Sequence, residues 1–353
     1  YSMFPNLITF LFLITTTICY AAQDDSSTTI QQITSPILKD MSRSEINMAI
    51  LWREQPIFID GKRQLQIQIL KPKEEGTYPV IIFSGGWSVN FRHYSQILKP
   101  LAARGYIIVN IDHYYQKDTE KHSQEFDEEV TRIKAELQGQ DSKTKKERFS
   151  RTKVRALAIY YYDTIFILQN LLKTLEKTPQ ADLSRIALMG HSLGGNTAKR
   201  VIDNLATLPV STGIKTAIKA CVALDSRLNQ MNASPIFSKP TLLLGAEEEY
   251  KVSDSLQGLY NQPNLQFILL PRAGHISFVD YVIYPLLGMR IQPLMQGLNS
   301  SAVEQTEKMI SKVRTNPKSF FNGNTQELSK FLGQTVDHID QFLKLHLSTA
   351  STS

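Results

Sequence analysis

Short, continuous apolar runs recur along most of the chain, separated by stretches whose apolar positions follow helical spacing. The runs at residues 80–83, 106–111, 185–189, 220–224, 241–244 and 265–270 have the length and composition of buried strands. A strand that is apolar on both faces needs cover on both, so these runs predict a parallel sheet between two helical layers. Helices are expected at residues 94–104, 154–177, 196–208 and 327–347. Near the N-terminus the pattern changes. Residues 65–70 alternate apolar and polar, and with residues 57–59 and the intervening Asp60-Gly61 they predict an antiparallel hairpin. The expected fold class is α/β: a mostly parallel central sheet with helices on both faces and an antiparallel N-terminal hairpin.

One junction in this pattern carries chemistry. The strand at 185–189 runs into Gly190-His191-Ser192-Leu193-Gly194, and a helical segment follows. G-x-S-x-G between a strand and a helix is the signature of a nucleophile elbow. The turn is so tight that strand and helix touch, Gly190 and Gly194 leave room for that contact, and the serine hydroxyl is held out above the sheet. A serine hydroxyl is a poor nucleophile at neutral pH without a base beside it and an acid to orient the base. In folds with this elbow the chain order is serine, acid, histidine.

Three of the seven histidines follow Ser192. His338 and His346 fall in the amphipathic C-terminal helix, whereas His275 directly follows the strand at 265–270, which makes it the expected base. His113 and His191 sit beside strand ends, near the site without acting as the base. The acid has two candidate positions. Asp225 closes the strand at 220–224, and a carboxylate at a strand's C-terminal end faces the active edge of such a sheet. The alternative is the group after the next strand, Glu247, Glu248, Glu249 and Asp254. Negative charge developing on a substrate carbonyl oxygen needs waiting N–H donors. The expected ones are Leu193, next to the nucleophile, and Trp87 in the Ser84-Gly85-Gly86-Trp87 loop after the strand at 80–83.

Length and composition add bounds. The chain has 353 residues, 42% of them hydrophobic, and a net charge of +6 from 39 Lys and Arg against 33 Asp and Glu. That charge is mild and accompanies no nucleic-acid motif; weak attraction to anionic membrane surfaces is the most it supports. Residues 7–20 are uncharged and precede Ala21-Ala22, a pattern expected of a secretory signal over residues 1–22 despite the missing basic start. Secretion or a periplasmic location follows. A polar leader spans 23–50, the main domain 51–347, and a short tail 348–353. Within the domain, residues 116–152 form a charged insertion. Phe126, Val130, Ile133 and Leu137 share a helical face there, and a basic run follows that suits a solvated surface or contact with lipid headgroups. Signal cleavage would remove Cys19 and leave Cys221 as a core residue. No metal-ligand set, dinucleotide fingerprint or P-loop is present, so no cofactor is expected; the sequence does not indicate an oligomeric state.

These features resemble the plasma-type platelet-activating factor acetylhydrolases and their bacterial relatives within the α/β-hydrolase superfamily. The likeness rests on Phe83-Ser84-Gly85-Gly86-Trp87, Phe91-Arg92, Tyr94-Ser95, Ala103, Gly105-Tyr106-Ile107-Ile108, Asp112-His113 and Ser184-Arg185-Ile186. It continues through Gly190 to Gly195, Leu224-Asp225 and Gly274-His275, so it covers residues 79–275. The resemblance implies Asp225 as the acid and a calcium-independent, lipase-like esterase that removes short or oxidised acyl chains from glycerophospholipids. The chain departs from the animal enzymes at Gly85, where they carry histidine, and at Leu193, where they carry phenylalanine. Both positions lie at the site and bear on acyl and headgroup preference. The expected partner is therefore a lipid or small acyl ester, with peripheral membrane contact; the other esterase reading is a general carboxylesterase or polyester hydrolase acting on soluble esters. Residues 276–295 are strongly apolar and fit either a lipid-facing lid or acyl-pocket wall, or an ordinary core helix.

Overall fold

The structure, a computed structural model, describes residues 50–59, 63–113, 151–226, 237–250 and 262–348. Eight strands form one sheet: β1 (Ile50–Ile59), β2 (Arg63–Pro72), β3 (Tyr78–Ser84), β4 (Ile107–Asp112), β5 (Ala181–His191), β6 (Ile218–Leu224), β7 (Thr241–Ala246) and β8 (Leu265–Leu270). Their spatial order is β1-β2-β4-β3-β5-β6-β7-β8. β1 and β2 pair antiparallel, β2 meets β4 antiparallel, and every pairing from β4 onward is parallel. This is the expected hairpin leading into a parallel sheet.

The main helices are α1 (Ser95–Ala103), α2 (Arg151–Gln169), α3 (Leu193–Asp203), α4 (Asp280–Leu286), α5 (Ser300–Thr315) and α6 (Thr325–Leu347). The continuous apolar strands are explained by the layers they feed. Ile81 and Phe83 of β3, and Ala187 and Met189 of β5, enter a core shared with α1, α4, α5 and α6. Their sequence neighbours Val80, Ile82, Ile186 and Leu188 enter the opposite core, under α2 and α3. Alternate residues thus face opposite layers, and both faces have to be apolar.

At three places the structure adds to the sequence reading. α3 begins at Leu193 rather than at residue 196, because the elbow passes straight into the helix. α5 was not anticipated: its buried residues are only Thr306, Ile310 and Val313, a thin stripe on a polar helix. Of the two readings left open for residues 276–295, the first half fits the core helix: Phe278, Val279, Tyr281, Val282, Ile283 and Tyr284 are all buried with α6 packed against them, while Gly288, Arg290 and Gln292 are exposed. The signal and leader segments, the Asp60-Gly61 turn, most of the 116–152 insertion with its apolar face, and Asp254 lie outside the described residues. Among the described residues no helix is long and apolar enough to cross a membrane.

Candidate active site

The carboxyl ends of β3, β5 and β6 and the loop after β8 converge on Ser192. Its backbone has φ 54 and ψ −116, a conformation an L residue adopts only where its surroundings impose it. The glycines around it are what impose it. A Cβ on Gly190 would collide with the backbone of Gly194, and one on Gly194 would collide with the carbonyls of Ser84 and Gly85. A Cβ on Gly195 would strike Ser226 Oγ. β3, β5 and α3 are therefore in backbone contact at the elbow. Gly194→Ala is expected to cost about 2–3 kcal/mol through overpacking against a backbone carbonyl that cannot move aside. Denaturant unfolding would show this as a lower midpoint at unchanged slope.

Ser192 Oγ lies 2.9 Å from His275 Nε2, and His275 Nδ1 lies 2.5 Å from Asp225 Oδ2. The carboxylate can only accept, so Nδ1 carries the proton and Nε2 is left to accept from the Ser192 hydroxyl. Asp225 is 2% exposed, and its second oxygen accepts from the Ala246 N–H at 2.7 Å. Its own N–H donates to Leu244 and its φ is 43, so the chain turns sharply where β6 ends and the carboxylate is fixed from both sides. The alternative acids stand elsewhere. Glu247 accepts from the Arg272 N–H, and Glu248 has an exposed side chain. His338 and His346 lie on α6, where the His346 ring packs on Phe342.

The His275 loop is tied down locally. Gly274 N–H donates to Ser277 Oγ, Ser277 Oγ donates to the Phe320 carbonyl, and Ala273 bridges to Phe321. A second histidine holds it from below. His191 Nε2 lies 2.8 Å from the carbonyl of His275, and Nδ1 lies 3.0 Å from Tyr94 Oη. A carbonyl only accepts, so Nε2 carries the His191 proton and Nδ1 receives the Tyr94 hydroxyl. Tyr94 Oη in turn accepts from the Gly86 N–H at 2.6 Å. One directed chain of hydrogen bonds therefore joins the loop after β3 to the loop that carries His275. Sequence reasoning placed His191 near the site without a task and gave Tyr94 none, since nothing local marks two residues 97 positions apart as partners.

The expected oxyanion donors border this arrangement. Leu193 is the first residue of α3, where an N–H has no carbonyl of its own helix to pair with. Gly86 directs its N–H to Tyr94, and Trp87 follows it with 36% of its surface exposed. Residues 84–85 touch the start of α3, so the loop and the helix N-terminus share one corner of the site.

Burial pushes the His191 imidazole down to about 3, helped by the neighbouring His275 and opposed by the bond to its carbonyl. His93 is pushed down to about 4, chiefly by burial. Both rings stay neutral when folded, so the stability they contribute is full above pH 6.5 and is lost as pH falls toward those values. Asp280 runs the other way. Burial raises its carboxyl to about 6 despite hydrogen bonds from Ser95 and Gln96, so it regains a proton, and stability, as pH falls through 6. Two histidines outweigh one carboxyl. Below about pH 6 the unfolding free energy should fall with a net slope near that of one proton, about 1.4 kcal/mol per pH unit, and the melting temperature should fall with it. Thermal melts between pH 4.5 and 7.5 would show that loss in the wild type and a shallower one in His191→Gln.

Comparison with known proteins places the architecture. The chlorophyllase family model matches residues 59–142, about a quarter of the chain, a stretch that includes β3 and the glycine loop but ends before Ser192. No curated protein matches. Among solved structures, a ferulic acid esterase from Streptomyces cinnamoneus is 15% identical, covers 86% of this chain and 94% of its own, and superposes with a TM-score of 0.53. The fold is that of the α/β hydrolases. A dienelactone hydrolase from Anabaena variabilis is also similar, at 13% identity, 77% and 99% coverage and a TM-score of 0.40. Among the described residues no group of three or more His, Cys, Asp and Glu side chains is arranged to hold a metal ion.

Proposed function

We propose that this α/β hydrolase is a serine ester hydrolase whose nucleophile, base and acid are Ser192, His275 and Asp225. The observation that carries the reading is the continuous pair of hydrogen bonds, Ser192 Oγ to His275 Nε2 and His275 Nδ1 to Asp225. As Ser192 Oγ attacks an ester carbonyl, its proton passes to His275 Nε2, and Asp225 stabilises the imidazolium that forms. The carbonyl oxygen becomes an oxyanion received by the N–H groups of Leu193 and Trp87. His275 then gives its proton to the departing alkoxide, the alcohol leaves, and an acyl-Ser192 ester remains. Water, deprotonated by His275, attacks that ester and frees Ser192 with release of the carboxylic acid.

For substrate, we propose acyl esters of lipids, in the manner of platelet-activating factor acetylhydrolases and phospholipases A2. The support is the sequence resemblance through residues 79–275, together with an elbow and acid position of the kind that resemblance implies. Secretion and peripheral contact with lipid surfaces belong to the same proposal. The second reading, a carboxylesterase on soluble esters, draws on Gly85 and Leu193, where the chain departs from the animal enzymes. Hydrolysis of short-chain phosphatidylcholine should exceed that of nitrophenyl butyrate at matched concentrations, with Ser192→Ala as the blank. The opposite ranking would favour the soluble-ester reading.

A further inference from the structure

A second serine, histidine and aspartate sit one layer below the first. His113, just after β4, has Nε2 3.0 Å from Ser84 Oγ and Nδ1 2.9 Å from Asp163 Oδ2. The carboxylate again fixes the proton on Nδ1, so Nε2 accepts from the Ser84 hydroxyl. The connectivity copies that of Ser192, His275 and Asp225, but Ser84 is 3% exposed and Asp163 fully buried. No substrate reaches this serine, so nucleophilic chemistry is not its task.

Its location gives it another. Ser84 ends β3 and opens the glycine loop. The His113 ring is stacked on Tyr160, with centroids 3.8 Å apart and planes 16° from parallel. The Tyr160 hydroxyl donates to the Gly86 carbonyl at 3.0 Å, while the Gly86 N–H is taken by Tyr94. Both backbone groups of Gly86 and the side chain of Ser84 are therefore held by buried partners on either side of the loop.

We propose that His113, with Asp163 and Tyr160, forms a positioning set that fixes the glycine loop at the distance from Ser192 at which it can receive the oxyanion. This rests on the esterase reading above. A donor to a developing oxyanion acts only when it is in place before the charge appears, and small displacements at such a site are costly in rate. A glycine pair alone would not hold its position, because it has the most backbone freedom to lose. The buried network removes that freedom.

The test uses Ser84→Ala and Tyr160→Phe, each of which deletes one hydroxyl and leaves the His113–Asp163 pair intact. Ile310→Val, on the buried face of α5, serves as a destabilised control. For each, kcat and KM are measured on a nitrophenyl ester, with the melting temperature and the affinity for a trifluoromethyl ketone, whose adduct with Ser192 carries an oxyanion. Both hydroxyl variants should lose about 10- to 100-fold in kcat and a similar factor in ketone affinity, with KM within about twofold of wild type. The control should keep its kcat despite its lower melting temperature. If Ser84→Ala fails to fold, Tyr160→Phe decides. Wild-type kcat in the variants, or a fall in kcat without weaker ketone binding, overturns the inference while the hydrolase reading stands. An inactive wild-type protein would remove both.

Discussion

Ser192→Ala is expected to lower kcat on any ester this protein hydrolyses by at least about 10⁴-fold, since the serine and histidine of such a set act as a unit. The fold should survive the change. The positive φ at residue 192 is imposed by the contacts of Gly190, Gly194 and Gly195, none of which involves the hydroxyl. The melting temperature should therefore stay within a few degrees of wild type. A large rate loss with an intact fold separates a chemical role from a structural one. Steady-state kinetics and a thermal melt on one preparation read both.

Asp225→Asn should be almost as severe, with a loss of about 10³- to 10⁴-fold in kcat, comparable to the worked case of the protease triad. The reason can be read from its two oxygens. One accepts from the Ala246 N–H, and an asparagine must keep its carbonyl there or leave that buried donor unpaired. Its amide NH₂ then faces His275 Nδ1 and donates to it. The imidazole proton is driven to Nε2, the atom that must accept from Ser192, so the base is present in the wrong tautomer. Glu248→Gln, by contrast, alters an exposed side chain and should change kcat less than about threefold, within ordinary surface effects. Equal losses in the two variants would contradict the assignment of the acid.

The parts of this site that were legible in the sequence are those with a local cause. Gly190-x-Ser-x-Gly is visible because strand, turn and helix are consecutive and the glycines answer a local crowding. Asp225 and His275 are visible because each directly follows an apolar strand, so the sheet's own geometry delivers them to one edge. Strand position alone leaves Asp225 and Glu248 both open, and the resemblance favours Asp225; the structure adds the physical reason, a sharp turn at residue 225 that aims its carboxylate at His275. The pairings of the supporting network left no local trace, although Tyr94, His113 and His191 fall in stretches that carry the resemblance. Tyr94 and His191, or His113 and Asp163, are far apart in sequence and meet only because β3, β4, β5 and α2 are brought together. Residues 276–295 stay open in the sequence for a different reason. A lid and a core helix are equally apolar, and the pattern of one segment does not say whether another helix, here α6, covers it. α5 escaped notice because three buried positions on a charged helix give too weak a period, although Asn299 caps it by accepting from the Ala302 N–H.

The proposed hydrolysis depends on a hydroxyl whose reactivity comes from a neighbouring imidazole. Treating the folded wild-type protein with a fluorophosphonate and locating the adduct by peptide mass spectrometry tests that dependence most directly. One adduct per chain, on the peptide that contains Ser192 and absent from Ser192→Ala, is the predicted result. An unlabelled wild type, or an adduct that persists in the Ala variant, would contradict it.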